Sequence, residues 1–195
     1  MNQRTLRLLV PITALVLGFG LLMATLWVTY GDRNAPPPST IGGPFKLIDQ
    51  NGRVVTEKEL LGKPTLIFFG YTHCPDVCPT TLFEVSEVFG KLGKDKKVQG
   101  IFVTVDPERD TPAMMKEYLA SFDPRILGLS GDEAATESMK KAYRVYSRKV
   151  PGASGDYTMD HSALVYLMDS KGRFVNGFNL QRPPEEAAKE LAKYL

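Results

Sequence analysis

The sequence predicts an α/β domain preceded by one N-terminal transmembrane helix. The first observation behind this is a stretch of 23 residues without a charge, from Leu8 to Tyr30. The second is an alternation of strand-like and helix-like segments from about residue 42 onward. The third is a pair of largely apolar runs, 64–70 and 100–106, of the kind that forms central strands covered on both faces. The 195 residues are 43% hydrophobic and 24% charged, which suits one anchor and one globular domain.

The charge-free stretch is long enough to span a bilayer. At about 1.5 Å per residue, a helix of this length crosses the ~30 Å hydrocarbon layer. A cleaved secretory signal is the alternative, but the apolar region of such a signal is only about 7–15 residues long. Arg4 and Arg7 precede the stretch, so we expect the domain to be exported. The predicted organisation is a cytoplasmic segment 1–7, an anchor 8–30 in a bacterial cytoplasmic membrane, a Pro-rich spacer 31–41, and a domain 42–195 that faces the periplasm or exterior.

The charge distribution argues against a nucleic-acid partner. The formal net charge is +2, and the first 33 residues account for all of it, because Arg4, Arg7 and Arg33 outnumber Asp32. The remaining residues carry 21 basic and 21 acidic side chains. No basic face is implied, so we expect no binding to DNA or RNA.

The order of the segments predicts a thioredoxin-like fold. In such open α/β sheets the chemistry lies at the carboxyl ends of central strands, and a pair of cysteines follows the first central strand here. The predicted elements are a hairpin over 45–56, a strand over 64–70, a helix with Leu82, Val85, Phe89 and Leu92 on its apolar face, a strand over 100–106, a helix from Thr111 and Pro112, a strand over 126–129, a helix over 132–146 with Tyr146 facing inward, a polar loop over 147–161, a hairpin over 162–178 and a last helix from about Pro184.

The cysteine pair is the first candidate for chemistry. Cys74 and Cys78 are the only cysteines, separated by three residues, and Pro79 is expected to be the first residue of the following helix. The positive end of that helix should favour thiolates and lower the pKa of both thiols. A structural disulfide is the alternative. A bridge that closes so short a loop, however, would remove little entropy from the unfolded chain.

A histidine completes the candidate site. Of the two histidines, His161 directly precedes the apolar strand that is predicted to start at Ser162. In a thioredoxin-like fold, the loop that enters this strand faces the dithiol. Two sulfur ligands and one imidazole favour Cu(I), which accepts three ligands, over Zn²⁺, which would need a fourth. His73 should turn away from the thiols and lie at the rim of the site.

Three segments, 71–79, 103–112 and 160–167, resemble the signatures of the Sco/SenC family, whose members are membrane-tethered copper chaperones for cytochrome c oxidase assembly. The resemblance covers about residues 40–195. It implies that Cys74, Cys78 and His161 are the copper ligands. The soft ligand set favours Cu(I) as the cargo, with Cu(II) as the alternative. The resemblance also implies that the chain delivers copper to the binuclear centre of oxidase subunit II, or reduces the cysteines of that subunit. A periplasmic copper donor and a thiol reductant would be further partners.

Two other functions use the same cysteines. Cys74 and Cys78 could be the redox-active pair of a metal-independent thiol–disulfide oxidoreductase, or Cys74 could be the reactive thiol of a peroxidase. The sequence therefore leaves open whether the chain is an enzyme. We interpret segment 106–112 as a structural loop near the dithiol and Met159 as a packing residue. Gly152, Ser154 and Gly155 are expected to let the His161 loop swing.

Overall fold

The computed structural model of the protein describes residues 15–26, 40–152 and 155–195. Residues 15–26 are helical and lie within the predicted anchor. The remainder of the 8–30 segment, residues 1–7 and the spacer up to residue 39 lie outside the described residues. In the described part of the chain, no helix has both the length and the apolar character required to cross a membrane. Residues 39–195 form a unit of their own.

A mixed sheet forms the centre of this unit. Its strands are β1 (Lys46–Asp49), β2 (Val54–Thr56), β3 (Thr65–Gly70), β4 (Gln99–Thr104), β5 (Ile126–Ser130), β8 (Val165–Met168) and β9 (Phe174–Gly177), in the order β2-β1-β5-β4-β3-β8-β9. The helices are α1 (Val77–Leu92), α2 (Pro112–Leu119), α3 (Glu133–Tyr143) and α4 (Pro184–Leu191). Strands β3, β4 and β5 run parallel to one another, and β8 pairs antiparallel with β3. This is the predicted thioredoxin-like α/β arrangement.

The two central strands are buried along their whole length, as their apolar runs predict. Helix α1 packs against α4, and α2 packs against β5. Because β3 and β4 are parallel, with Gly70 opposite Thr104, the loops that follow them leave the sheet at the same edge. That edge carries the candidate site.

Helix α3 is shorter than predicted. It begins at the N-cap Asp132, whose side chain accepts the Ala135 N–H at 2.7 Å, but it ends at Tyr143. Arg144 then takes a left-handed conformation with φ of 55°, which turns the chain out of the helix. The prediction that Tyr146 faces inward is therefore wrong, since its side chain is exposed.

The predicted loop over 147–161 is a β-hairpin instead. Strands β6 (Ser147–Pro151) and β7 (Tyr157–His161) pair antiparallel, with Ser147 opposite His161, and they form a two-stranded sheet separate from the main one. His161 lies at the open end of this hairpin. Gly152 and Gly155 lie at its turn, at the end opposite His161, and Ser154 lies outside the described residues.

Candidate metal centre

Cys78 is fixed by the junction of β3 and α1. Helix α1 begins at Val77, so Cys78 lies in its first turn and Pro79 is the third helical residue rather than the first. A proline fits anywhere in this turn, because the amides there have no partner within the helix. Gly70 at the end of β3 leaves room for the thiol, since a Cβ at this position would lie 2.7 Å from Cys78 Sγ.

Cys74 lies in the loop between β3 and α1 and is only partly buried. Its amide donates to the Tyr71 carbonyl oxygen at 3.2 Å, which closes a turn. The amide of Cys78, at the start of α1, donates to Cys74 Sγ at 3.4 Å. Both cysteines are free thiols.

The prediction of a lowered pKa is wrong for Cys78. Its side chain is 0% exposed, and this burial raises the pKa of the thiol far above its ordinary value. The backbone amide of Tyr71 opposes the shift, while the neighbouring Cys74 adds to it. Without a metal ion the buried thiol therefore keeps its proton at neutral pH, because the low dielectric of the core outweighs the helix terminus.

His161 approaches the dithiol from the hairpin. Its Nε2 lies 3.6 Å from Cys78 Sγ, and its Nδ1 lies 3.1 Å from the Ser162 carbonyl oxygen. When Nδ1 donates to this carbonyl, Nε2 carries the lone pair that a metal ion requires. The rings of Tyr71 and Phe68 pack edge-on against the imidazole, with centroid distances of 5.8 and 6.1 Å.

The three predicted ligands therefore meet at one point. The donor atoms of Cys74, Cys78 and His161 all lie within 4.8 Å of one another, and no other group of three such side chains does so among the described residues. Ligands at about 2.3 Å (sulfur) and 2.0 Å (nitrogen) around a trigonal ion are separated by about 3.7 Å. The observed 3.6 Å between Cys78 Sγ and His161 Nε2 fits this geometry.

A buried carboxylate, to which sequence reasoning assigned no role at the site, anchors the dithiol loop. Asp110 accepts the Thr72 hydroxyl at 2.6 Å and the Thr72 amide at 3.0 Å, and it also accepts the Thr104 hydroxyl at 2.7 Å. Burial raises the pKa of Asp110, although these hydrogen bonds oppose the rise. The order of the elements could have indicated this contact, because Asp110 follows β4 and Thr72 follows the parallel strand β3.

Three further interpretations from the sequence agree with the structure. His73 Nδ1 lies 3.1 Å from the Thr72 hydroxyl, and its ring stands half-exposed at the rim, outside the three-ligand cluster. Met159 is a buried core residue. Segment 106–112 is a structural loop: Thr111 caps α2 by accepting the Met114 amide at 3.3 Å.

The chain is similar to known proteins in both sequence and fold. Residues 33–195 match the family model described as SCO1/SenC. The chain is also similar to the SCO2-like protein of Rickettsia felis, with 42% identity over 154 residues that cover 77% of this chain and 75% of the relative.

Two solved structures are similar in both sequence and fold. One is described as Bradyrhizobium japonicum ScoI with copper bound; it has a TM-score of 0.77 and 67% identity, and it covers 80% of this chain and 99% of that one. The other is described as yeast Sco1 with copper bound; it has a TM-score of 0.74 and 39% identity, and it covers 80% of this chain and 88% of that one.

Proposed function

The chain belongs to the SCO1/SenC family, and on this basis we propose that it is a copper chaperone for cytochrome c oxidase assembly. The observation that carries the proposal is the meeting of three soft donor atoms within 4.8 Å, two from the start of α1 and one from a separate hairpin. Two thiolates and an imidazole prefer Cu(I) among the metals available to proteins. The metal-bound relatives named above hold copper.

In the proposed function, Cys74, Cys78 and His161 bind copper as cargo. Loading displaces the proton of the Cys78 thiol, which in the free site faces His161 Nε2. The Ser162 carbonyl fixes the tautomer of the imidazole. Oxidation of the two cysteines to a disulfide would remove both sulfur ligands, so the thiol redox state would control loading.

The test is an anaerobic Cu(I) titration of the reduced full-length chain, with X-ray absorption to count the neighbours of the ion. We expect one copper per chain with two sulfur neighbours and one nitrogen neighbour. His161→Ala should weaken binding at least about 100-fold, since loss of groups that only support a ligand already costs about 10- to 100-fold. Unchanged affinity and stoichiometry in His161→Ala would exclude His161 from the site.

The receiving partner we propose is subunit II of cytochrome c oxidase, at its binuclear copper centre, with a periplasmic copper donor upstream. Complementation of a strain that lacks the chain tests this assignment. His161→Ala should lower the copper content of subunit II while the subunit itself is still made. Normal copper content in that strain would argue against delivery.

A second function is favoured by the unequal exposure of the two cysteines, because Cys74 is partly exposed and Cys78 is buried. In thiol–disulfide exchange, the Cys74 thiolate attacks a disulfide of the partner and releases one partner thiol. Cys78 then attacks Cys74, which forms the internal disulfide and releases the second partner thiol. Two electrons pass to the partner, and a thiol reductant must restore the dithiol.

Substitution of His161 distinguishes copper delivery from thiol–disulfide exchange. His161→Ala should leave the reduction of a disulfide-containing fragment of subunit II unchanged if exchange is the function, but it should abolish copper-dependent assembly if delivery is the function. Cys74→Ser should remove both. A variant series in which assembly follows exchange activity rather than copper affinity would favour the reductase.

We also propose that residues 8–30 anchor the chain in the bacterial cytoplasmic membrane, with 31–41 as a spacer and 42–195 exposed to the periplasm or exterior. The charge-free stretch and the preceding Arg4 and Arg7 support this orientation. After alkaline washing of membranes, the chain should remain in the pellet, and protease added to the periplasmic side should digest the domain. Release of the chain by washing would contradict the anchor.

A further inference from the structure

We propose that Arg109 is a positioning residue that holds the β6–β7 hairpin in place and so brings His161 to the dithiol. This inference rests on the copper-binding function proposed above. Arg109 is not a ligand. It lies in the loop between β4 and α2 and acts on the site through the hairpin that carries the third ligand.

The loop between β4 and α2 holds both halves of the site through adjacent residues. Asp110 binds Thr72 of the dithiol loop, as described above. Arg109, one residue earlier, points to the hairpin, where its Nη1 donates to the Tyr157 carbonyl oxygen at 3.1 Å and to the Asp156 carboxylate at 3.2 Å. Two adjacent residues of one loop therefore contact the dithiol loop and the hairpin that carries His161.

The Arg109 side chain is itself fixed. Its Nε donates to Asp106 at 2.5 Å within the same loop, and its guanidinium lies over the Tyr157 ring at 3.7 Å from the centroid. The Tyr157 hydroxyl in turn donates to the other oxygen of Asp106 at 2.8 Å. Burial and this hydrogen bond raise the pKa of Tyr157 to about 12, so the hydroxyl stays a donor. The planar guanidinium thus bridges the loop and the hairpin with donors in fixed directions.

The hairpin needs such a support. A two-stranded sheet is marginally stable on its own in water, and β6–β7 shares no strand with the main sheet. Other contacts join the hairpin to the rest of the domain. Met159 is buried in the core, and Lys140 of α3 donates to the Ser147 hydroxyl at 2.7 Å. Loss of Arg109 should therefore loosen the position of His161 without releasing the hairpin.

The experiment is a double-mutant cycle with Arg109→Ala and His161→Ala in the reduced full-length chain. Cu(I) affinity is measured by competition with a chelator. Arg109→Ala alone should weaken affinity about tenfold, at the lower end of what supporting groups contribute. In the His161→Ala background the same substitution should have no further effect, because Arg109 acts only through the imidazole.

Two variants control for general disruption. Arg148→Ala removes an arginine that pairs with Asp160 within the hairpin and does not bridge to the loop, so affinity should stay within about twofold of the wild type. Arg109→Lys keeps the charge but cannot donate in several fixed directions, so its affinity should fall between wild type and Arg109→Ala. It also serves as the cycle partner if Arg109→Ala does not fold.

A second measurement uses the copper-free protein. Amide hydrogen exchange in β6 and β7 should accelerate in the Arg109 variants, while the amides of β3 and α1 remain protected. An Arg109 effect on affinity that persists in the His161→Ala background, or no effect in the wild-type background, overturns the inference. A wild-type chain that binds no copper, or binding insensitive to His161→Ala, defeats the proposed function itself.

Discussion

The two halves of the candidate copper site are built in opposite ways. The dithiol half belongs to the core: β3 is buried along its length, and Cys78 is fully buried in the first turn of α1. The histidine half is peripheral, because His161 lies on a two-stranded hairpin outside the main sheet. The first half is held by close packing along a whole strand, and the second is held by a few polar contacts and by the buried side chain of Met159.

This difference suits a protein that must release its cargo. A ligand set embedded entirely in the core would hold the ion but could not open without unfolding the sheet. A ligand on a lightly anchored hairpin can leave first, since segments with few buried contacts open at low cost in free energy. We expect the hairpin to yield when a partner takes the ion, while the dithiol remains in place.

The largest effect should come from the core half. Cys78→Ala removes one of two sulfur ligands and should weaken Cu(I) binding by about 1000-fold or more, equivalent to about 4 kcal/mol. Alanine fits the apolar surroundings, so the fold should persist. Metal analysis after gel filtration, with circular dichroism as the folding control, measures this. Loss of copper no greater than in His161→Ala would remove the distinction between the halves.

The same division separates what the sequence could predict from what it could not. The buried strands, the thioredoxin-like order and the three residues of the candidate site were predictable. Continuous apolar runs and the position of Cys74 and Cys78 after β3 are local patterns, and His161 was indicated by its place before an apolar strand and by the family resemblance. The hairpin was not predictable. Strand β6 is rich in charged residues and lacks the apolar alternation that indicates a strand, and β7 alternates over only five residues, with Tyr157 and Met159 as its apolar positions.

The pKa of the two thiols was predicted from local structure alone, and that prediction is wrong for Cys78. A helix start favours a thiolate, but the core formed around Cys78 favours the neutral thiol more strongly. The sequence could not indicate how deeply this residue is buried, because its burial depends on contacts between distant elements. Gly70, for example, lies so close to the Cys78 thiol and the Phe102 ring that a side chain at position 70 would collide with both.

The raised pKa of Cys78 predicts a strong pH dependence of copper affinity. Below that pKa, each copper bound must displace the Cys78 proton, so the apparent affinity should rise at least about tenfold per pH unit. An ordinary thiol has a pKa near 8.5, so its contribution to the pH dependence of copper affinity would level off above that pH. For Cys78 the rise should continue well beyond that pH, because burial raises the pKa of its thiol. Competition titrations across this range measure the slope.

His161→Ala provides the control for this pH series. It weakens binding but leaves the proton of Cys78 in place, so the slope should be retained. A plateau near pH 8.5 in both proteins would mean that the Cys78 thiol is not held in its neutral form by the core.

A smaller effect should follow from disturbing the packing behind the dithiol. In Gly70→Ala the new methyl group meets Cys78 Sγ and the Phe102 ring, each at 2.7 Å. Overpacking of this kind should lower the free energy of unfolding by about 1–3 kcal/mol. Denaturant unfolding of the reduced protein measures the change.

Gly90→Ala is the matched control, because nothing lies within 4 Å of a Cβ at that helical position. It should stabilise the protein by about 0.5–1 kcal/mol. Equal effects of the two substitutions would show that the space behind Cys78 is not closely packed.

The smallest expected effect concerns Tyr71, which touches both halves. Its carbonyl oxygen accepts the Cys74 amide, its ring packs against His161, and its hydroxyl lies near the backbone amide of Met159 in the hairpin. Tyr71→Phe removes only the last contact and should cost about 1 kcal/mol. Because the ring and the backbone remain, the loss should fall on the hairpin.

Amide hydrogen exchange distinguishes this outcome from a general loss of stability. In Tyr71→Phe the amides of β7 should exchange faster, while those of α1 keep their protection. Tyr146→Phe, which removes an exposed hydroxyl next to the hairpin, should change neither. If α1 loosened together with β7, the two halves would form one cooperative unit, and copper release could not begin with His161 alone.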